Sequence, residues 1–242
     1  MIELIDVHKT LGDQEILRGM TFSVQHGENY VIMGRSGTGK SVTLKHVIGI
    51  FKPDSGQVLV DGQNVADLNR MRLEDLRKRM GYLFQGGALL NWLSVAENVA
   101  LPLREHKKLA RSETMDRVMQ VLGMVGMDQA AERLPAQISG GMRLRVGIAR
   151  ALISEPEYVL YDEPNAGLDP IISGQIHRLI AKVRDSLGVT GLIVTHSRAC
   201  AFDVGDRIGL MDGGRIIEQG SVDEMKASGT ALVRSFLSGG AD

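Results

Sequence analysis

The sequence has few aromatic residues and no excess of charge of either sign over its 242 residues. Aromatic side chains make up 4% of the chain, which argues against a platform on which nucleic-acid bases stack. The 28 lysines and arginines are balanced by 29 acidic residues, so the chain has no global attraction for a polyanion. We therefore expect no nucleic acid among its partners.

Cysteines and long apolar runs are equally scarce. Cys200 is the only cysteine, so the sequence offers neither an internal disulfide nor a cysteine metal cluster, and a reducing compartment fits. We expect Cys200 to be a buried, inert thiol. No signal peptide precedes the first strand, and no run of about 18 apolar residues could span a bilayer. Any membrane role is expected to depend on a partner.

Apolar periodicity predicts an α/β fold with a helical insert. Residues 1–87 and 153–242 are predicted to form the core, which begins with an antiparallel β subdomain, and residues 88–152 the helical subdomain of the same single domain. Strands are predicted at Ile2–Val7, Ile16–Val24, Tyr30–Met33, Gln57–Val60, Gly81–Phe84, Tyr158–Tyr161, Thr190–Thr195, Ile208–Met211 and Arg215–Ile217. Helices are predicted at Lys40–Ile50, Glu74–Arg79 and Ile171–Leu187, a turn at Pro53–Gly56, and two short helices at the end of the chain.

Two groups of side chains have competing interpretations. The methionines of the insert are expected to pack in its core, with an adaptable docking surface as the alternative; they are Met115, Met119, Met124 and Met127. The basic residues before the fifth predicted strand are expected to form a solvated helix face rather than a binding patch; they are Arg70, Arg72, Arg77, Lys78 and Arg79.

A glycine-rich loop directly follows the third predicted strand and matches the P-loop pattern of phosphate-binding proteins. Its glycines let backbone N–H groups converge on phosphate oxygens, and a helix starting near Lys40 adds the positive end of its dipole. Lys40 can reach the β- and γ-phosphates, and the Ser41 hydroxyl suits Mg²⁺. A plain glycine turn is the alternative interpretation. The predicted nucleotide-binding residues are Gly34, Arg35, Ser36, Gly37, Thr38, Gly39, Lys40, Ser41 and Val42.

Two adjacent carboxylates follow the apolar strand Tyr158–Tyr161. Ligands gather at the carboxyl ends of parallel strands, so Asp162 is placed to bind Mg²⁺ through water, as in a Walker-B arrangement. Glu163 can orient or deprotonate the attacking water. In isolation the pair would be interpreted as a surface turn before Pro164, but the P-loop makes the catalytic interpretation the better one.

Further segments make the chain resemble the ABC ATPase family over nearly its whole length. Ser139-Gly140-Gly141-Met142 resembles the signature motif, Gln85 the Q-loop glutamine, His196 the switch histidine, and Ala166–Asp169 the D-loop, all in the order of that family. The resemblance implies the ABC ATPase fold and ATP and Mg²⁺ as cofactors. It implies that Gln85 meets Mg²⁺ or the attacking water and that His196 meets the γ-phosphate. Glu163, His196 and Lys40 are then the expected catalytic residues.

The resemblance also implies a homodimer. Ser139, Gly140 and Gly141 precede a helix and so form a second site with the chemistry for phosphate. In the family this site and the D-loop, including Asp169, face the P-loop of a second subunit, and two ATP molecules lie between the subunits. The sequence departs from the family at Leu11, where an aromatic often stacks on adenine, at Met142, and at Ser197-Arg198. The adenine contact is therefore expected to be weaker or to come from elsewhere.

A finer resemblance is to ATPases of lipid-handling ABC systems of the Mla or MCE-associated type, in residues 79–89, 99–106, 139–142 and 161–171. It implies phospholipid transport for outer-membrane lipid asymmetry, by a peripheral subunit on the cytoplasmic face of the inner membrane. The implied partners are a membrane permease, an MCE-type lipid-binding protein and a STAS-domain subunit.

The alternatives are an importer ATPase for another small solute, a soluble ABC ATPase acting on nucleic acid or ribosomes, and a regulatory subunit without turnover. Transport direction, the permease and the role of Leu232–Asp242 stay open.

Overall fold

The computed structural model describes residues 1–106, 110–230 and 233–234, with the side chain of His106 excepted. The chain divides into two compact units: Met1–Leu73 with the described residues from Thr190 onward, and Glu74–Val189. The elements of the first unit are β1 (Ile2–Leu11), β2 (Gln14–Val24), β3 (Asn29–Met33), α1 (Lys40–Val47), β4 (Ser55–Val60) and β5 (Gln63–Asn64). Helix α2 (Arg70–Lys78) contains the boundary. The elements of the second unit are β6 (Met80–Leu83), α3 (Val95–His106), α4 (Arg111–Met124), α5 (Gly140–Leu152), β7 (Tyr158–Asp162) and α6 (Pro170–Leu187). The first unit resumes with β8 (Thr190–Thr195), α7 (Arg198–Val204), β9 (Arg207–Asp212), β10 (Arg215–Ser221) and α8 (Val222–Ala227).

The N-terminal strands form the predicted antiparallel sheet, and their order is β2-β1-β4-β5. Ile2 lies opposite Val24 on one side and Val60 on the other, and all three side chains are buried. Strand β4 begins at Ser55, which pairs with His8, so the predicted turn at Pro53–Gly56 extends too far into the strand. Pairing with β1 places Ser55 and Gly56 in the strand, and this pairing could not be predicted from the turn-like composition of Pro53–Gly56.

The other strands of the first unit run in the order β10-β9-β3-β8. Strand β3 is parallel to both β8 and β9, and β10 closes a hairpin antiparallel to β9. Every residue of β3 and β8 is buried, which explains their continuous apolar composition. Helix α1 ends before the predicted Ile50, because the residue after its C-cap, Gly49, has a φ of +66°. Helix α7 is an element that the sequence pattern did not indicate.

The second unit pairs β6 in parallel with β7, next to helices α3–α6. The described residues between 88 and 152 contain helices and no strand. Apolar side chains at helical spacing make up its core, among them Val95, Val99, Leu103, Val118, Leu122, Leu144 and Ile148. No described helix is both long enough and apolar enough to cross a bilayer.

Several side-chain predictions can be checked directly. Of the four methionines only Met127 lies in the core; Met115 and Met124 are half-buried and Met119 is exposed, so the core prediction is wrong for these three. Arg70, Arg72, Arg77 and Lys78 are exposed, as expected, and Arg79 is half-buried beside Glu157. Cys200 is buried, as predicted. Val233 and Arg234 are helical, and the rest of Leu232–Asp242 lies outside the described residues.

Candidate functional site

The P-loop connects β3 to α1, and its first and last glycines are tightly enclosed. The Gly34 N–H donates to the carbonyl of Thr195, the last residue of β8, at 3.2 Å. A Cβ at Gly34 would lie 2.6 Å from the carbonyl oxygen of Met211, so no other residue fits without moving backbone. Gly39, the N-cap of α1, has a φ of +103°, which side chains rarely allow. The loop therefore begins and ends where only glycine fits.

Lys40 is the first residue of α1 and is 5% exposed. Its ammonium group donates hydrogen bonds of 2.8 Å to the carbonyl oxygens of Gly34 and Arg35. The Thr38 hydroxyl also donates to the Arg35 carbonyl, at 2.9 Å. The lysine charge is thus held inside the loop beside the N-terminus of α1, where a phosphate would be attracted. Ser41 and Val42, on the first turn of the same helix, are half-buried.

The first unit also brings the predicted switch histidine to the P-loop strand. His196 directly follows β8 and is exposed, and every residue of β3 pairs with a residue of β8. The Ser197 N–H donates to the Thr195 hydroxyl at 3.0 Å, and the Ser197 side chain caps α7. His196 therefore lies in a fixed turn between a buried strand and a helix.

In the second unit the two predicted carboxylates lie at the end of β7. Asp162 is 8% exposed and accepts a hydrogen bond of 3.1 Å from the Tyr82 hydroxyl. Burial, and to a lesser degree the nearby Asp162, raise the pKa of Tyr82 above its usual value, so this hydroxyl stays a donor. Glu163 is buried in the left-handed region with a φ of +48°, a conformation that costs free energy and is often found at functional positions.

Gln85 lies two residues beyond β6, exposed, at the start of a short 3₁₀ turn. Gly86, Gly87 and Ala88 all have positive φ, so the chain reverses sharply after Gln85. Arg150 of α5 holds this turn by donating to the carbonyls of Gly87 at 2.7 Å and Ala88 at 2.9 Å. Burial lowers the pKa of Arg150.

The segment that follows is held by one buried amide. Asn98 of α3 accepts from the Leu90 N–H at 2.7 Å and donates to the carbonyls of Leu90, Leu93 and Ser94 at 3.0 to 3.1 Å. The side chain thus satisfies a backbone that forms no regular structure.

The signature segment forms the N-terminus of α5. The Ser139 hydroxyl caps the helix by accepting from the Met142 N–H at 3.3 Å. Gly140 starts the helix and is half-buried, and Gly141 is buried, where a Cβ would meet Ile172 of α6 at 2.5 Å. Asp169, predicted to contact nucleotide, caps α6 by accepting from the N–H groups of Ile171 and Ile172. Both motifs are therefore helix N-termini that pack on each other within this unit.

Sequence reasoning missed the residues that hold these motifs in place: Tyr82, Asn98 and Arg150. Their partners are 80, four to eight, and 62 to 63 residues away along the chain. Neither a tyrosine in an apolar strand nor an arginine in a helix signals such a partner. Only Asn98, an amide inside an apolar helical pattern, gives a local hint.

Comparison with known proteins decides the family. The ABC transporter family profile matches residues 17–166, more than half of the chain. The chain belongs to the ABC transporter family. It is an ATPase of that family, and ATP is its nucleotide.

Two relatives of this ABC ATPase match it over nearly all its length. The intermembrane phospholipid transport system ATP-binding protein MlaF of Escherichia coli is 38% identical over 242 residues, which cover 100% of this chain and 90% of the relative. The probable ribonucleotide transport ATP-binding protein mkl of Mycobacterium tuberculosis is 38% identical over 238 residues. That match covers 98% of this chain but 66% of the mycobacterial protein, slightly less than two thirds.

The fold agrees with solved ABC cassettes. The dimeric structure of MJ0796, a bacterial ABC transporter cassette, has a TM-score of 0.84 and 33% identity, and the match covers 92% of this chain and 99% of that one. A second dimeric structure of the same cassette, in a post-hydrolysis state bound to ADP and Pi, has a TM-score of 0.83. The predicted ABC ATPase fold is confirmed.

Proposed function

We propose that this ABC ATPase powers a membrane complex that moves phospholipid for outer-membrane lipid asymmetry. The observation that carries the lipid assignment is the 38% identity over the whole chain with a relative named for intermembrane phospholipid transport. The chain itself supplies the nucleotide chemistry: a P-loop with a buried lysine and, in the second unit, a strand that ends at Asp162 and is followed by Glu163.

The catalytic roles rest on the geometry of each unit. Lys40 would exchange its two carbonyl partners for β- and γ-phosphate oxygens, which as charged acceptors bind an ammonium more strongly. The N–H groups of the loop and of α1 would hold the same phosphates. Glu163 would orient and deprotonate the attacking water, and His196 would donate to the γ-phosphate. Together these contacts favour the charge distribution of phosphoryl transfer.

The residues also fit a magnesium ion. Mg²⁺ prefers oxygen ligands and usually keeps waters and substrate phosphates in its shell. The predicted ligands supply oxygen only: the Ser41 hydroxyl, the Gln85 amide and the Asp162 carboxylate. Among the described residues no three His, Cys, Asp or Glu side chains cluster into a metal cage, which suits an ion held largely by the nucleotide. Bound there, Mg²⁺ would neutralise charge developing on the phosphates.

We propose that the working unit is a homodimer. The capped helix N-terminus at Ser139, Gly140 and Gly141 is a second place with the chemistry for phosphate, next to the Asp169 turn. In a head-to-tail dimer it would face the ATP held by the partner's P-loop. Dimeric solved structures of a similar cassette support this arrangement.

We further propose the partners and the location that the lipid assignment brings with it. A membrane permease, an MCE-type lipid-binding protein and a STAS-domain subunit would complete the complex, with this chain as a peripheral subunit on the cytoplasmic face of the inner membrane. Phe84 precedes the turn after Gln85 and Trp92 follows it, and both side chains are exposed. Exposed apolar side chains of this kind favour a partner-binding surface at this turn. The division into a core (1–87 and 153–242) and a helical subdomain (88–152) stays a prediction.

An importer ATPase for another solute is the second candidate. The names of similar relatives favour considering it, because one refers to ribonucleotide transport and another, 38% identical over 237 residues, to methionine import.

The deciding experiment deletes the coding sequence and measures both outer-membrane phospholipid composition and detergent resistance. Phospholipid assignment predicts that both change and are restored by the wild-type chain but not by Glu163→Gln. Unchanged lipids together with lost uptake of a polar solute would contradict it.

A further inference from the structure

The side chain of Tyr82 connects two predicted parts of the site in the second unit. Tyr82 lies on β6 opposite Leu160 of β7, so Asp162, two residues further along, projects from the same face of the sheet. Its hydroxyl donates to Oδ2 of Asp162 at 3.1 Å. A parallel sheet thus places a phenol where it meets the carboxylate that we propose for the metal.

The ring of Tyr82 is itself held. It packs at a tilt of 36° against the ring of Phe84, with 4.3 Å between the centroids. Tyr82, Phe84, Pro102 and Arg150 are among the residues that line a groove of about 210 Å³. Arg150 also anchors the turn after Gln85 by its hydrogen bonds to the carbonyls of Gly87 and Ala88.

The Oδ2 oxygen of the Asp162 carboxylate therefore accepts a hydrogen bond from a neutral donor. A carboxylate that is hydrogen-bonded at one oxygen loses rotational freedom at its side chain. Groups that fix a ligand in this way commonly change metal affinity when they are removed. A phenol suits this role because it donates without adding a positive charge that would repel a cation.

We propose that Tyr82 is a positioning residue that fixes the Asp162 carboxylate for the metal–nucleotide complex. This inference rests on the proposed role of Asp162. The substitution Tyr82→Phe keeps the ring and its packing on Phe84 and removes only the hydroxyl. Tyr30→Phe is the matched control, because the buried Tyr30 also donates its hydroxyl to a side-chain oxygen, Oε1 of Gln219, at 2.8 Å.

The first experiment titrates Mn²⁺ into the full chain with ADP and follows the free Mn²⁺ signal by electron paramagnetic resonance. Tyr82→Phe should raise the Mn²⁺ concentration for half-saturation roughly tenfold. Binding of a fluorescent ADP analogue in EDTA should not change, and Tyr30→Phe should behave as wild type in both measurements. A Tyr82→Phe titration that matches wild type overturns the proposal.

The second experiment needs neither metal nor nucleotide. Urea unfolding is measured for wild type, Tyr82→Phe, Asp162→Ala and the double variant. Because each substitution removes the same hydrogen bond, their effects should not add. Tyr82→Phe should change the unfolding equilibrium constant roughly tenfold less in the Asp162→Ala chain than in wild type. Additive effects would overturn the proposal.

The two inferences can fail separately. If Asp162→Ala weakens Mn²⁺ binding and Tyr82→Phe does not, the positioning role is wrong and the role of Asp162 stands. If Asp162→Ala leaves Mn²⁺ binding unchanged, the proposed metal role of Asp162 is wrong, and the positioning proposal is overturned with it.

Discussion

The Lys40 ammonium group donates a 2.8 Å hydrogen bond to the Gly34 carbonyl, so the first and the seventh residue of the P-loop contact each other directly. The lysine folds back over its own loop, where it is 5% exposed. Phosphate oxygens would then replace neutral carbonyls around a cation that is already in place, which lowers the cost of ordering a long side chain on binding.

Lys40→Ala should lower the ATPase rate by a factor of about 100 or more, because a charged donor to the transferred phosphoryl group is lost. The control is Lys45→Ala on the same helix. Lys45 lies over the Phe51 ring, 5.7 Å from its centroid, and has no predicted contact with nucleotide. The rate of the control should stay within about a factor of two of wild type. Equal rates for Lys40→Ala and wild type would exclude the P-loop assignment.

Gly81→Ala should destabilise the chain by roughly 2 kcal/mol or more, since the new Cβ would lie 2.2 Å from the carbonyl oxygen of Ala151 and the backbones must separate. Gly123→Ala is the matched control inside helix α4, with no heavy atom within 4 Å of the added Cβ. It should stabilise the chain by roughly 0.5–1 kcal/mol through helix propensity. Equilibrium urea unfolding measures both. Similar effects of the two substitutions would contradict the close approach of β6 and α5.

Ser139→Ala should reduce both stability and ATPase activity. Loss of the N-cap on α5 should cost about 1 kcal/mol, and the same hydroxyl is predicted to face nucleotide in the dimer. Ser221→Ala is matched to it, because Ser221 caps α8 with the same hydrogen-bond length of 3.3 Å and has no predicted catalytic role. We expect both variants to be destabilised to a similar degree and only Ser139→Ala to lose ATPase activity. An equal loss of ATPase activity in both variants would show that Ser139 acts only as a helix cap.

The stability of the chain should fall as the pH drops through 6.5, in part because of His46. This side chain is buried on α1 and its Nδ1–H donates to the Val42 carbonyl at 2.8 Å. Burial lowers its pKa below the usual 6.5. Below pH 6.5 His46 binds a proton more readily in the unfolded chain than in the folded chain, so acid favours unfolding in this pH range.

His46→Leu removes this titrating side chain. The fall in the urea midpoint between about pH 7.5 and pH 5.5 should therefore be smaller than in wild type. His8 provides a control of opposite sign. It is half-buried, and its contacts with Glu15 and then with Asp6 raise its pKa, so its contribution is present below pH 6.5 and is lost as the pH rises. His8→Gln should therefore make the acid-side fall steeper. A His46→Leu profile that parallels wild type would show that His46 does not titrate differently on folding.

The sequence pattern predicted the most deeply buried strands and the motifs whose residues are contiguous in the chain. The strands that become β3, β7 and β8 are continuous apolar runs, and the P-loop, signature and D-loop are contiguous strings. Interactions between distant parts of the chain could not be predicted. Tyr82 and Asp162 are 80 residues apart, and only the parallel register of β6 and β7 brings them together.

Surface positions inside apolar patterns were the other source of error. Met119 is three residues before the buried Leu122 and so follows a helical spacing, yet it is exposed. Spacing gives the period of a helix but does not define how wide its buried face is. The start of β4 was wrong for a related reason, since the pairing of Ser55 with His8 is set by a neighbouring strand.

In the proposed cycle ATP holds two copies of this chain together, and Glu163 ends that state by promoting hydrolysis. Light scattering of the purified Glu163→Gln chain, with Mg²⁺ and ATP and again with ATP in EDTA, tests it most directly. We expect the mass of a dimer with Mg²⁺ and ATP, and the mass of a single chain in EDTA and in the Glu163→Gln, Lys40→Ala double variant. A Glu163→Gln chain that binds ATP and keeps the mass of a monomer, or that hydrolyses ATP at the wild-type rate, would contradict it.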